Sequence, residues 1–118
     1  MADSLNSLNL RLKQFATDRD WEPFHSPKNL SMALIAEAAE LVEHFQWLSE
    51  EQSENLAGEK LEEVRLELAD IQIYLIRIAE RLGVDLVKAA EDKLAINEHR
   101  FPIEKVRGDA RRANEYEE

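Results

Sequence analysis

Two pairs of acidic residues stand at a spacing of three inside otherwise apolar stretches of this chain. Glu37 and Glu40 belong to LSMALIAEAAELVEHFQWL, and Glu67 and Asp70 belong to LEEVRLELADIQIYLIRIAERL. At about 100° of rotation per residue, side chains three apart on a helix point in nearly the same direction. Both acids of each pair would therefore face one way, between apolar stripes and not on an open solvated face.

Carboxylates beside apolar surface are costly to ionise unless a cation compensates their charge. Four converging carboxylates in a chain without Cys offer hard oxygen ligands, which favours Mg²⁺ first and Mn²⁺ second. One alternative is a solvated helix surface, since a chain with 25 acidic residues contains many such pairs. A di-iron bundle needs Glu-x-x-His on its helices. The sole such spacing, Glu22 to His25, includes Pro23 and falls in a predicted loop.

Aromatic residues stand on either side of the acids. Trp21 and Trp47 are the two tryptophans of the chain, and such rings either pack in a core or stack on a nucleobase. Tyr74 lies about 20° from Glu67 around the helix, where its hydroxyl either faces water or hydrogen bonds to a ligand. His25 either positions its loop or donates to a phosphate.

A polar stripe follows the last predicted helix. Lys93, Asn97 and Arg100 recur at i, i+4 and i+7 and so share one face. Such a stripe either pairs with neighbouring acids in solvent or neutralises phosphate oxygens.

Capping residues delimit the four helices that must position these groups. The first predicted helix covers 4–17, with Ser4 as its N-cap, and the second runs from Ser26 and Pro27 to about Leu48. The third covers about 59–82 and ends at Gly83, and the fourth begins at Asp85 and stops before Phe101. A polar connection joins the second to the third, with Gly58 interrupting or preceding the latter. The sequence predicts an all-α four-helix bundle over 1–103 and a charged tail over 104–118. Because two helices are apolar on more than one side, we expect oligomerisation to complete the bundle.

Composition limits the classes of function. A chain of 118 residues indicates one domain. Its net charge of −10 argues against a nucleic-acid partner, because phosphate backbones are bound by clustered Lys and Arg. No apolar run is long enough to span a membrane, and the N-terminus lacks a signal pattern. With no Cys, these features favour a cytoplasmic protein.

Three further segments make the acid pattern specific. RDWEPFHSPKNL precedes the first pair, FQW follows it, and KLAINEHRFP follows the second. Together with Glu-x-x-Glu and Glu-x-x-Asp, they resemble the MazG-type all-α nucleoside triphosphate pyrophosphohydrolases, closest to the dCTP pyrophosphatase branch. The resemblance covers about residues 10–103 in the family's order.

The resemblance implies a helical fold completed by subunit packing, commonly as a homotetramer (a dimer of dimers). It also implies cleavage between the α- and β-phosphates of a dNTP. One carboxylate would accept the proton of the attacking water, and the Glu37/Glu40 pair is favoured. The implied roles are metal binding by Glu37, Glu40, Glu67 and Asp70, base binding by Trp21 and Trp47, and sugar or phosphate contacts by Tyr74, Lys93, Asn97 and Arg100, with His25 in the matching loop.

One position departs from the animal relatives. They carry a His in the first helix of the base pocket, where this chain has Leu12. The tail also lacks their Lys-Tyr-Thr ending, for which Arg111, Arg112 and Tyr116 would substitute. The expected substrate is dCTP or modified dCTP, in nucleotide-pool cleaning. The alternatives are a sister activity on dUTP or other (d)NTPs, and a non-catalytic acidic helical oligomerisation module.

Overall fold

Helices are the only regular elements over residues 5–111, the part of the chain that the computed structural model describes. The all-α prediction is confirmed. The elements are α1 (Leu5–Asp18), a 3₁₀ turn (Glu22–Phe24), α2 (Pro27–Phe45), α3 (Glu50–Ser53), α4 (Gly58–Leu82), α5 (Leu86–Arg100) and α6 (Ile103–Val106). Within that range, none of the helices combines the length and apolarity that a membrane span requires.

The ends of the long helices follow from local chemistry. Ser26 accepts a hydrogen bond from the backbone N–H of Asn29 at 3.1 Å, and Pro27 opens α2. Asp85 accepts one from the backbone N–H of Lys88 at 3.0 Å and starts α5. Gly83 ends α4 with a φ of 69°, a left-handed conformation that costs glycine little. These caps were predicted from the sequence.

The loop after α2 differs from the expectation. The helix ends at Phe45 and not near Leu48, and a one-turn helix, α3, replaces part of the predicted polar connection. The reason is a capping box. The Ser49 N–H donates to the Gln52 side chain at 2.9 Å, while the Gln52 N–H donates to the Ser49 hydroxyl at 3.1 Å. This local pairing starts a new helix at Glu50 instead of continuing α2.

Two smaller differences concern Gly58 and the tail. Gly58 is the first residue of α4, so it precedes that helix and does not interrupt it. A short helix, α6, lies at the start of the predicted tail, after Pro102. Ser4, Arg112 and Tyr116, to which the sequence analysis gave a cap and a covering role, lie outside the described residues.

The chain forms two compact units, the first up to Val84 and the second from Asp85. In the first unit α2 packs along α4, and α1 packs against α4. Few apolar residues are buried in the part of this unit that the structure describes. They are Ala16, Leu30, Val64, Ile76 and Ala79. The pairing of α2 with α4 brings the two acidic stretches side by side.

Candidate functional site

Three of the four predicted acids meet between α2 and α4. Glu37 comes from α2, and Glu67 and Asp70 come from α4. Each offers one carboxylate oxygen, and these oxygens all lie within 4.8 Å of one another. Glu40, one turn after Glu37, is exposed and is not among the three. The acid cluster, as we call Glu37, Glu67 and Asp70, therefore draws on both acidic stretches.

Within this cluster, Glu37 is the carboxyl whose protonated form is most strongly favoured. Hydrogen bonding with the carboxyls of Glu67 and Glu40, then burial and the charges of Glu40 and Asp70, raise the pKa of Glu37 from 4.5 to about 8. Two ionised carboxylates have no proton to donate to each other, so a shared hydrogen bond requires one of them to be protonated. Without a cation, the cluster stabilises itself by binding a proton.

The donor set fits a divalent cation. Oε2 of Glu37 is buried and has no hydrogen-bond partner among the described residues. Unpaired buried oxygens are rare because they lose the hydrogen bonds of water. Three oxygen ligands with no sulfur match the preference of hard cations such as Mg²⁺ and Mn²⁺. The acid cluster can therefore hold a divalent metal ion.

A basic side chain, His44, lies beside Glu67 and is itself contacted by Lys60. Nε2 of His44 is 3.7 Å from Oε2 of Glu67, and Nζ of Lys60 is 3.0 Å from Nδ1 of His44. A lysine ammonium only donates, so Nδ1 of His44 is the acceptor in the contact with Lys60. The sequence analysis did not select Lys60 or His44 as site residues. The available signal was the position of His44 two turns after Glu37 on α2, on nearly the same face.

A cavity of about 210 Å³ opens beside the acid cluster. Asp70 belongs to both. The Trp21 ring stands edge-on to Phe15, with centroids 5.8 Å apart, and to His25, at 6.1 Å. The lining residues are Leu12, Phe15, Ala16, Trp21, His25, Asp70, Ile73, Tyr74 and Arg77. The structure thus brings predicted residues Trp21, His25 and Tyr74 together at an apolar cavity next to the acids.

Four other predicted residues are not among those that line this cavity in the described part of the chain. Trp47 follows α2 and is 86% exposed, and it is not among the cavity-lining residues of the described chain. Lys93, Asn97 and Arg100 lie on α5 in the second unit. The predicted roles of these four residues in binding a substrate remain predictions.

Arg77 is a cavity-lining residue that the sequence analysis missed. It is 2% exposed and forms ion pairs with Glu22, at 2.6 Å, and with Glu80, at 3.4 Å. Burial, followed by the positive charge of Arg77, holds the pKa of His25 below its usual value, so His25 is neutral at neutral pH. The sequence did carry a signal, since Arg77 is the single charged residue in the apolar run 71–79.

Comparisons with known proteins identify the family of the chain. The sequence profile of the MazG-like family matches residues 33–115. The dCTP pyrophosphatase 1 of Rattus norvegicus is 43% identical over 99 residues, which are 82% of this chain and 58% of the rat protein. The human dCTP pyrophosphatase 1 is 40% identical over 104 residues, or 86% of this chain and 61% of that protein. The chain thus spans about three fifths of the length of these curated relatives.

A solved structure gives the same result. A pyrophosphatase from Archaeoglobus fulgidus DSM 4304 superposes with a TM-score of 0.76 at 33% sequence identity, covering 86% of this chain and 95% of the archaeal one. The family resemblance drawn from the acid pairs and their flanking motifs is confirmed. The chain belongs to the MazG-like family.

Proposed function

We propose that this protein is a Mg²⁺-dependent nucleoside triphosphate pyrophosphohydrolase. It would cleave a dNTP, with dCTP or modified dCTP preferred, to the dNMP and pyrophosphate, and so clean the nucleotide pool. The observation that carries the proposal is that Asp70 belongs both to the acid cluster and to the aromatic cavity. A ligand with one charged end and one aromatic end fits that arrangement. The names of the relatives support the same reaction class.

The cavity suits the base of the substrate. Its volume of about 210 Å³ is below the roughly 300–1,000 Å³ of clefts that enclose a whole drug-sized ligand. A base would therefore enter it while the phosphates remain outside. Trp21 offers a ring for stacking, and the hydroxyl of Tyr74 offers a hydrogen bond beside Asp70.

The acids suit the phosphates. Glu37, Glu67 and Asp70, with Glu40 as the fourth predicted ligand, would hold the Mg²⁺, for which Mn²⁺ is the alternative. When bound, such an ion supplies compensation for the negative charge of the phosphates and of the leaving pyrophosphate. The Glu37/Glu40 pair would accept the proton of the attacking water. Trp47 would contribute to base binding, and Lys93, Asn97 and Arg100 would contact sugar or phosphate.

Assembly and location belong to the same proposal. Exposed apolar side chains on α2, including Met32 at 58% and Ile35 at 67%, support packing between subunits. We expect a homotetramer, a dimer of dimers, and light scattering would measure it. A cytoplasmic location would give the enzyme access to the triphosphate pool, and cell fractionation would check it. The net charge of −10 supports a nucleotide held through a metal ion, and not a nucleic-acid partner.

A substrate panel tests the function. Purified protein is incubated with Mg²⁺ and each standard dNTP, dUTP or modified dCTP, and pyrophosphate and orthophosphate are measured separately. We expect pyrophosphate and the monophosphate, with the highest kcat/KM for dCTP or a modified dCTP. Orthophosphate alone would contradict cleavage between the α- and β-phosphates. A preference for dUTP or another triphosphate would identify a sister activity.

A pair of variants separates an enzyme from an acidic oligomerisation module. Asp70→Asn removes a member of the acid cluster, while Glu62→Gln changes an acid on the same helix that is 54% exposed. The enzyme hypothesis expects turnover and Mg²⁺ affinity to fall in the first variant alone. If the two variants behave alike and the wild type shows no turnover, the enzyme hypothesis fails and only the fold assignment stands.

A further inference from the structure

One charge network spans the three segments that enclose the cavity. The cavity walls come from α1, from the loop between α1 and α2, and from α4. Arg77 on α4 contacts Glu22 in the loop through Nη2, at 2.6 Å. Glu80, one turn further along α4, contacts Arg77 at 3.4 Å and Lys13 of α1 at 3.5 Å. The clamp, as we call Lys13, Glu22, Arg77 and Glu80, thus joins the same three segments.

Arg77 is the central member of the clamp. Its side chain is 2% exposed, whereas the Glu22 side chain is 36% exposed. A planar guanidinium can bind two carboxylates in fixed directions at once, which a lysine ammonium does less well. Arg77 is therefore the fixed, buried end of the clamp, and Glu22 is the end through which the loop is held.

The loop has few other ties to α4 in the described part of the chain, and one of them also comes from Arg77, whose Nη2 lies 3.5 Å from Nδ1 of His25, at the limit of a hydrogen bond. Trp21 N–H donates to the Ala16 carbonyl at 2.9 Å, and His25 N–H donates to the Glu22 carbonyl at 3.1 Å, but these bonds are local. Arg81 donates to the Glu22 carbonyl at 3.3 Å, near the limit of a hydrogen bond. The short contact between Arg77 and Glu22 is therefore the strongest polar tie between α4 and the segment that carries Trp21 and His25.

We propose that Arg77 is a positioning residue of the cavity: through Glu22 it fixes the loop that carries Trp21 and His25, and so sets the affinity for the base. We assign it no part in bond cleavage, because its guanidinium is already paired with Glu22 and Glu80 and it stands seven residues, about 10 Å along α4, from Asp70 of the acid cluster. The effect on affinity for the base rests on the proposed function, whereas the positioning of Trp21 does not.

The positioning is tested first without any substrate. In a Trp47→Phe background Trp21 is the single tryptophan, so its emission and its quenching by acrylamide report on the cavity wall. We expect Arg77→Gln to shift the emission to longer wavelength and to increase quenching. Arg65→Gln is the matched control, because Arg65 lies on the same helix and pairs with a glutamate at the same spacing of three, but is 69% exposed. It should change neither signal.

The consequence for binding is tested by steady-state kinetics with Trp47 intact. We expect Arg77→Gln to raise KM about tenfold with kcat within about threefold of the wild type, the signature of lost binding that is equal in ground and transition states. Arg77→Lys should recover part of the affinity. Glu22→Ala removes the same ion pair by changing its more exposed partner. It should therefore also raise KM, even if Arg77→Gln fails to fold.

The outcomes are distinct. An unchanged Trp21 signal in folded Arg77→Gln and Glu22→Ala proteins would overturn the positioning role. A fall in kcat at constant KM would overturn the assignment to affinity. A purely structural role would lower the melting temperature while leaving Trp21 emission and KM, both measured well below that temperature, at wild-type values. If the protein hydrolyses no nucleotide, the proposed function fails and the fluorescence experiment still decides the positioning role.

Discussion

Two charged clusters include residues of α4, and they differ in how their charges are balanced. Asp70 and Arg77 both line the cavity and stand seven residues apart, about 10 Å along the helix. Around Arg77, cations and carboxylates alternate and neutralise one another. Around Asp70, three carboxylates of the same sign meet. The charges of the first arrangement balance among the chain's own residues, although Nε of Arg77 is buried without a hydrogen-bond partner among the described residues. The second arrangement needs a proton or a cation.

The difference separates structure from function. A buried ion pair stabilises a conformation only when both partners are present, and loss of one partner is expensive. A cluster of like charges is unfavourable by itself, and a protein keeps it when a ligand restores the balance. We therefore assign the clamp to the shape of the cavity and the acid cluster to chemistry. The following predictions test that division, beginning with the largest effect.

Removing a ligand from the acid cluster should affect activity most. We expect Asp70→Asn to lower kcat/KM by at least about 100-fold, since even residues that only support a metal ligand often cost 10–100-fold. Mg²⁺ binding, measured by calorimetry, should weaken in parallel. Glu62→Gln is the control. Wild-type Mg²⁺ affinity in Asp70→Asn would contradict the metal assignment.

Removing the centre of the clamp should affect stability next. Arg77→Gln leaves Glu22 and Glu80 without their buried cation, so we expect the free energy of unfolding to fall by about 2 kcal/mol. This is below the usual 3–5 kcal/mol for a buried pair because both carboxylates reach water. Urea denaturation would measure it. A change no larger than that of Arg65→Gln would show that the clamp does not stabilise the fold.

Neutralising the acid cluster should have the opposite sign. In the metal-free protein Glu37→Gln should raise the free energy of unfolding at pH 8 by about 1 kcal/mol, a value kept small because water screens part of the charge. Melting curves with and without Mg²⁺ would measure it. Added Mg²⁺ should stabilise the wild type and have little effect on the variant. A destabilised metal-free variant would contradict electrostatic repulsion in the cluster.

The same group predicts a pH dependence. The pKa of Glu37 is about 8 in the folded metal-free protein, against an ordinary value of 4.5, so folding takes up a proton between these pH values. Its contribution to stability is complete below about pH 4.5 and is lost as the pH rises through about 8. Denaturation of the metal-free wild type across this range should show the decline, and Glu37→Gln should flatten it. A stability that rises over the same range in the wild type alone would refute this.

The smallest effect is expected at the surface pair of α4. Arg65 and Glu62 are 2.9 Å apart, but their side chains are 69% and 54% exposed. Water already solvates both charges, so Arg65→Gln should leave the denaturation midpoint and KM unchanged. A marked loss of stability would mean that solvent exposure does not explain why this pair should contribute less to stability than the clamp.

Local chemistry made much of the fold and part of the site predictable. Ser26, Gly83 and Asp85 end or begin helices through contacts with residues only a few positions away, so spacing alone identifies them. The spacing of Glu67, Asp70 and Tyr74 likewise fixes their common face on α4. The short helix α3 escaped prediction because the apolar pattern ends before it, although its Ser49–Gln52 capping box was present in the sequence.

Other features depend on residues that are far apart in the chain. The two tryptophans stand just before and just after α2 in the sequence, yet Trp21 lines the cavity and Trp47 is 86% exposed. Glu22 and Arg77 are 55 positions apart, and His44 and Lys60 are 16 apart. Each contact depends on the packing of α1 and α2 against α4.

The sequence by itself determined the four long helices, the faces that carry the acids and the family. Tertiary structure decided which acids meet, which tryptophan lines the cavity and which arginine holds its wall. The physical reason is range. Helix periodicity and capping act within a few residues, whereas the neighbours of a charge across a helix interface are set by the packing of the whole unit.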